Sequence, residues 1–221
     1  MSANLDLILF GMIAVFLVLR LRSVLGRRTG FERPDQPAIA PAATGRVIDG
    51  QAVKVPEPPR RALPDPASPT GQVLMAIQRA EPAFDPTRFL DGAEAAFRRI
   101  VTAFAAGERT ALAPLLTEAT FNAFIEAIKT REAAGETQVS EIKSILDALI
   151  EHAVLHPGPN NTQIADITVR FVSHQTNMVK DKDGNLVTGS DGITELADMW
   201  SFERILGSPE PTWRLASAQS A

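Results

Sequence analysis

The chain has 221 residues, 45% of them hydrophobic, and a formal net charge of −4. That balance leaves no basic stripe for a phosphate backbone and argues against nucleic acid as a partner. There is no cysteine, so disulfides, thiolate nucleophiles and cysteine-held metals are excluded, while the compartment stays open.

The first element in chain order is an apolar run. Leu7 to Leu19 (LILFGMIAVFLVL) carries no charge, and Asp6 is the one ionisable side chain between Ser2 and Leu19. Arg20 and Arg22 follow, and their aliphatic stems let the charged heads reach a headgroup layer. About 18–20 helical residues at 1.5 Å rise span ~27–30 Å, the thickness of a bilayer's hydrocarbon core. A secretory signal puts positive charge before its apolar run and small residues at a cleavage point. Here Arg20, Arg22, Arg27, Arg28 and Arg33 come afterwards, and the chain continues Arg-Leu-Arg-Ser. The expectation is a retained single-pass anchor, ahead of a cleaved leader or a buried core helix. Its residues are Leu7, Ile8, Leu9, Phe10, Ile13, Val15, Phe16, Leu17, Val18, Leu19, Arg20 and Arg22. The arginines place the rest of the chain in the cytoplasm, with the amino terminus outside. They suit anionic lipid better than nucleic acid.

Three regions follow from this reading: anchor and basic flank over 1–28, linker over 29–70, and one domain over 71–221. Phe31 to Thr70 holds nine of the sixteen prolines. Proline fixes φ and removes a donor, and few large apolar side chains offset the ordering entropy, so a flexible tether is expected. An inert spacer is the plain reading, and a proline-rich docking segment is the alternative.

GQVLMAIQRA (71–80) is a short helix that docks on the domain or lies on lipid. Asp85 caps the next helix with Pro86 at its first position. Phe89, Ala93, Phe97, Ile100, Val101 and Phe104 form one apolar face of it, and Gly107 ends it. Gly92, Ala95 and Ala96 are small enough to admit another backbone. Thr110 to Leu116 is a short helix, and Thr117 caps one with Phe121, Phe124, Ile125 and Ile128 inside. The charged ends of KTREAAGE (129–136) are expected in solvent. Ile142, Ile145, Leu146, Leu149 and Ala153 then recur at helical spacing. Beyond them the period is two, in Ile167, Val169 and Phe171, and again in Leu196, Trp200 and Phe202. KDKDGN (180–185) is a turn, and Trp213 and Leu215 begin a last strand. Helices followed by antiparallel strands make an α+β order.

The ordered set Phe89, Gly92, Ala93, Ala96, Phe97, Ile100, Gly107, Leu112, Leu115, Leu116, Phe121, Phe124, Ile128 and Arg131 resembles the opening of a Tim-forty-four-like domain. ITVRFVSHQ (167–175), DMWSFER (198–204) and WRLASAQ (213–219) resemble its later strands, and VFLVLRLRSVLGRR (15–28) resembles its bacterial membrane-anchored members. The resemblance implies a cone-shaped, nuclear-transport-factor-two-like α+β domain, in which a curved antiparallel sheet wraps helices and leaves an apolar mouth. It implies that 138–156 is a long bent strand, which we take over the helical spacing. It also implies the bacterial inner (plasma) membrane. The mitochondrial relative is a scaffold that recruits a DnaK-class chaperone to an import channel, and the domain also occurs in a mitochondrial ribosomal protein. The long amino-terminal region that contacts the chaperone has no counterpart here. Membrane tether and binding domain are what carry over.

Asp198 shares its strand face with Leu196, Trp200 and Phe202. A carboxylate on a core face has a raised pKa unless it is paired. Relatives of this fold use an inward aspartate or histidine in isomerases and dehydratases, but no companion base can be placed beside Asp198. An edge position or a partner arginine is the plainer reading. Phe97, Phe171, Asp198, Trp200, Phe202 and Trp213 are the candidate pocket, for an acyl chain or an apolar peptide, with packed core as the alternative. His152, His156 and His174 form no HExxH pattern, and a catalytic zinc takes three protein ligands. Asp181-x-Asp183 lacks the bidentate glutamate of a calcium loop, since Gly192 stands there. No metal and no cofactor are expected. The expected function is a membrane-tethered adaptor that binds a protein partner, chaperone- or translocation-related, and not an enzyme. The alternatives are lipid or small-ligand binding, or an enzyme using Asp198.

Overall fold

The computed structural model describes residues 61–210 and 212–221. The predicted anchor, Leu7 to Arg22, and the predicted linker up to residue 60 lie outside the described residues. Among the described residues no helix is long and apolar enough to cross a membrane.

Helix α1 spans Pro69–Ala80, with the Ser68 hydroxyl accepting from the Gly71 amide at 3.0 Å. Leu74 and Ile77 are buried, so this helix docks on the domain. Gly71 has to be glycine, because a Cβ there would meet the Asp65 carbonyl at 2.1 Å. Arg61 pairs with Asp91 and, at 2.8 Å, with Glu94, one turn apart on the next helix. The predicted linker therefore differs in its last stretch: residues 61–68 are laid along the domain, and α1 begins inside 29–70. At its far end, Glu81 accepts from Arg204 at 2.9 Å and from the Gly207 amide at 2.8 Å.

Helix α2 spans Pro86–Ala106. Asp85 accepts from the Arg88 amide at 2.8 Å, and Gly107 closes the helix at φ 71°, a left-handed turn that only glycine adopts freely. A short helix α3, Arg109–Leu112, runs into a 3₁₀ turn over Ala113–Leu115. Helix α4, Glu118–Ala133, starts at Thr117 as expected. The Thr120 hydroxyl donates to the Ala216 carbonyl at 2.6 Å, which locks α4 to the last strand.

One solvated expectation is corrected. Arg131 is half-buried over the Phe104 ring at 5.2 Å, and its guanidinium donates to the carbonyls of Phe104 and Ala105 at 2.9 and 3.0 Å. It thereby satisfies the carboxyl end of α2, where carbonyls lack helix partners and a cation suits the dipole. Burial lowers its pKa from the usual arginine value, and nearby Glu132 and Glu136 oppose that.

The rest is one antiparallel sheet in the order β1-β2-β3-β4: Thr137–Pro157, Gln163–Lys180, Leu186–Ile205 and Arg214–Ser220. Its inner face packs on the helices. On β2 the inward residues keep strict alternation, Ile167, Val169, Phe171, Ser173 and Gln175. Their partners on β1 are Ala153, Ile150, Ala148, Ile145 and Ile142, at spacings of three, two, three and three. Register shifts fall between Ile142 and Ser144, Ile145 and Asp147, and Ile150 and His152. Each bulge adds one residue, here Lys143, Leu146 and Glu151, and turns a spacing of two into three. The helical spacing of 142–153 is thus the signature of a bulged strand, and the bulges supply the bend.

The turn at Asp181–Asn185 closes on itself. Asp181 accepts from the amides of Asp183 and Asn185 at 2.8 and 2.9 Å and from the Asn185 side chain at 3.0 Å. Those hydrogen bonds, led by the Asn185 side chain, hold the Asp181 carboxyl below its usual range. Its oxygens serve the hairpin turn.

Candidate functional site

The aromatic residues meet in one chain of rings. Phe97 stacks on Phe171 at 4.5 Å and 11°, and the Trp200 ring meets Phe97 edge-on at 4.6 Å. Trp200 leads to Phe202 at 6.3 Å, Phe202 to Phe89 at 6.1 Å, and Phe89 to Trp213 at 4.9 Å. Phe97, Phe171 and Trp200 are packed core, between 0% and 1% exposed. Phe202, also 1% exposed, lies beneath a surface groove that the partly exposed Trp213 reaches.

That groove is about 330 Å³ and lies between α2, the 3₁₀ turn and the entry to β4. Its floor is Phe89, Ala93, Leu115, Phe202 and Trp213. Its α2 wall is Arg88, Gly92, Ala95, Ala96 and Arg99, at helical spacings of four, three, one and three. The space exists because Gly92, Ala95 and Ala96, between the two arginines, carry at most a methyl group. A Cβ at Gly92 would meet nothing within 4 Å, so packing inside the domain does not require this glycine. Glycine inside a helix costs about 1 kcal/mol relative to alanine. Arg88 sits in the first turn of α2, where a cation opposes the helix dipole by about 0.3–1 kcal/mol. Neither feature is accounted for by the stability of the fold.

Arg88 and Arg99 are exposed, and their side chains form no ion pair or hydrogen bond among the described residues. Their neighbours differ: Arg61 neutralises Asp91 and Glu94, and Arg98 donates to the Ile142 carbonyl at 3.2 Å. Among the described residues no acidic side chain lines the groove. An apolar floor with two unpaired cations on its rim is the result, in a chain of net charge −4.

Asp198 lies deeper. It is 1% exposed, opposite Phe171 on β2 and Ser220 on β4. Gln175 donates to Asp198 Oδ2 at 3.4 Å and to Ser173 Oγ at 2.7 Å, and Asn177 donates to Gln175 Oε1 at 3.3 Å. Asp198 therefore belongs to a buried polar row. Ser173, Gln175 and Asn177 join the expected Asp198 in this row. Their signal is the continuation of the β2 alternation from apolar into polar residues. The sequence signal of Arg88 and Arg99 is a helical separation of eleven residues on the face away from the core.

On the outer face of the sheet, Asp166 and Glu203 stand directly opposite one another on β2 and β3. Burial raises both carboxyl pKa values, Asp166 raises Glu203 further, and His156 opposes both shifts. A folded-state pKa above the unfolded one means that the folded state binds protons more tightly. Their contribution to stability is full below the ordinary carboxylate range and is lost as pH rises through the folded values. Glu203→Gln is expected to raise the melting temperature at pH 7, with the gain shrinking towards pH 4. Melting curves of both proteins across that range check it; a gain constant with pH would assign the effect to packing.

His152 and His156 are exposed, and His174 Nε2 lies 3.6 Å from Glu195. Among the described residues no group of three or more histidines and carboxylates is placed to hold a metal ion.

No curated protein matches the chain. Among solved structures, the intermembrane-space region of the chloroplast protein ARC6 is similar at 11% identity and a TM-score of 0.42, covering 63% of this chain and 98% of that one. An NTF2-like superfamily protein from Salmonella enterica gives 10% identity and a TM-score of 0.31, over 62% of this chain and 92% of its own. A putative dehydratase of the NTF2-like family from Streptomyces avermitilis gives 11% and 0.35, over 61% and 97%. The family model of the Tim44-like domain matches residues 70–220, from the second residue of α1 to the end of β4. The described elements are the ones the sequence resemblance implied, helices laid on a bent antiparallel sheet, and the chain belongs to the Tim44-like domain family.

Proposed function

We propose that this protein is an adaptor tethered to the bacterial inner membrane, whose cytoplasmic Tim44-like domain holds a protein partner in the groove on α2. The observation that carries this reading is the groove itself: an aromatic floor, a wall of glycine and alanine, and two rim arginines that are unpaired among the described residues. Such a surface suits binding: among the described residues its lining holds one hydroxyl, Thr212, with no carboxylate or imidazole beside it to act as a base. Asp198 is structural in this reading, as one member of the polar row with Gln175. The apolar run of residues 7–19 supplies the tether, and the arginines after it support a cytoplasmic domain. Tethering acts by raising the local concentration of the partner near the bilayer, to the millimolar range for short links.

The test is a crosslinked pull-down from intact membranes with the full chain, the anchor alone (residues 1–60) and the full chain carrying Ala96→Trp, which fills the groove. The expected result is a specific protein set retained by the full chain and lost in both controls. The same set on all three baits overturns the reading. A reporter active only outside the cytoplasm, fused after Ala221, is expected to stay silent; activity there overturns the topology.

A further inference from the structure

We infer that the occupant of the groove is an acidic amphipathic helix of the partner protein, lying along α2 with a carboxylate near each of Arg88 and Arg99. The inference rests on the adaptor reading and names the chemistry of the partner at that site. Three features of the groove point the same way.

The first is charge and its placement. Arg88 and Arg99 lie eleven residues apart on one face of α2, which is about 16 Å along the helix axis. Among the described residues both are exposed and unpaired, and no carboxylate of those residues lines the groove between them. A second helix carrying Asp or Glu at positions i and i+11 presents its acids at the same separation. A lipid has one anionic headgroup and would satisfy one arginine while setting its acyl chain against the other. The two ends of the groove therefore favour a ligand with two separated negative charges.

The second is the wall. Gly92, Ala95 and Ala96 lie on the stripe between the arginines, and the Gly92 Cβ position is open space. Small residues on a helix face let another helix axis come within about 8 Å. The third is the floor. Trp213, beside Phe89 and above the buried Phe202, lines a depression that takes an apolar side chain from the centre of the incoming helix. Aromatic anchors inside a charged rim are how helix-in-groove sites gain affinity and register.

The test uses the full chain in neutral-lipid nanodiscs and a synthetic 18-residue helix. The helix has a Leu/Ala stripe and glutamates at positions 3 and 14; a second peptide has lysines at those positions. Binding is read by fluorescence anisotropy and by the emission of Trp213, with Trp200 buried in both states. The expected result is saturable binding of the glutamate peptide and at least about tenfold weaker binding of the lysine peptide. Replacing both Arg88→Glu and Arg99→Glu should reverse that preference, a readout that loss of folding cannot mimic. Equal affinity for the two peptides, or no saturation of the glutamate peptide into the millimolar range, overturns the inference. Sodium oleate is the lipid arm. If oleate saturates the groove and excludes the glutamate peptide without regard to Arg99, the occupant is an acyl chain and the inference falls. If the pull-down partners are lost on Ala96→Trp while the glutamate peptide fails to bind, the adaptor reading stands and the acidic helix alone is rejected.

Discussion

Phe97→Ala is expected to lower the unfolding free energy by about 3–5 kcal/mol, the range for deleting a large buried ring. Phe97 is 0% exposed and is held from two sides, flat on Phe171 at 4.5 Å and against the edge of Trp200 at 4.6 Å. Stacked and edge-on ring pairs add about 0.5–1.5 kcal/mol beyond their buried area. Phe171 and Trp200 also touch one another at 6.2 Å and sit on neighbouring strands. They are fixed by the hydrogen-bonded ladder, so the walls of the cavity have little room to close. Urea unfolding followed by tryptophan fluorescence measures the loss. A loss below about 1 kcal/mol would mean that α2 shifts to refill the space, and that the helix is less firmly seated than its caps imply.

The second large effect comes from one-residue deletions in β1, and its sign depends on position. Glu151 is the extra residue of a bulge, between Ile150 opposite Val169 and His152 opposite Thr168. Deleting it restores regular pairing and leaves every inward residue inward. The side chain lost there pairs with Arg170 at 3.0 Å near the surface, and exposed pairs are worth about 0–1 kcal/mol. Deleting Leu149, two residues away, has no such solution. If the bulge stays, Ala148 and Ile145 turn outward, since a one-residue slip exchanges the faces of a strand. If the bulge closes instead, Glu151 falls opposite Val169 in the core and Ile150 faces solvent. The Leu149 deletion is expected to abolish the cooperative transition or lower it by several kcal/mol, and the Glu151 deletion to cost about 1 kcal/mol. Circular dichroism and urea midpoints of the two deletions decide it. Equal losses would mean that β1 is not held in register by its inward residues.

The groove shows how a site can be written in a sequence and still be missed. Gly92, Ala95 and Ala96 were legible as a small-residue stripe, and Trp213 and Phe202 as large aromatic residues. Nothing in their order along the chain brings positions 88–99 beside 213. The 3₁₀ turn and the Leu116–Leu215 bridge do so, by holding the start of β4 against the end of the helical layer. Arg88 and Arg99 look like ordinary surface charges until they are set beside Arg61 and Arg98, which have partners where these two have none among the described residues. Arg131 is the converse. It stands in a hydrophilic stretch that reads as solvated, and it is half-buried because the carbonyls of Phe104 and Ala105 need a donor.

Local residue order suffices for the local elements: the caps at Asp85 and Thr117, the stop at Gly107, the turn at 181–185 and the inward alternation of β2. These follow from interactions within a few residues, which any conformation of the rest of the chain preserves. For 142–153 the family resemblance implied a strand, as observed, but the physical reason lies in the tertiary structure. The segment's apolar spacing serves helix or strand, and the choice fell to the ladder, where three bulges bring Ile142, Ile145, Ala148, Ile150 and Ala153 opposite an unbroken alternation on β2. Tertiary structure alone decided which side chains meet in the groove, because residues more than a hundred positions apart become neighbours only when the sheet bends over the helices.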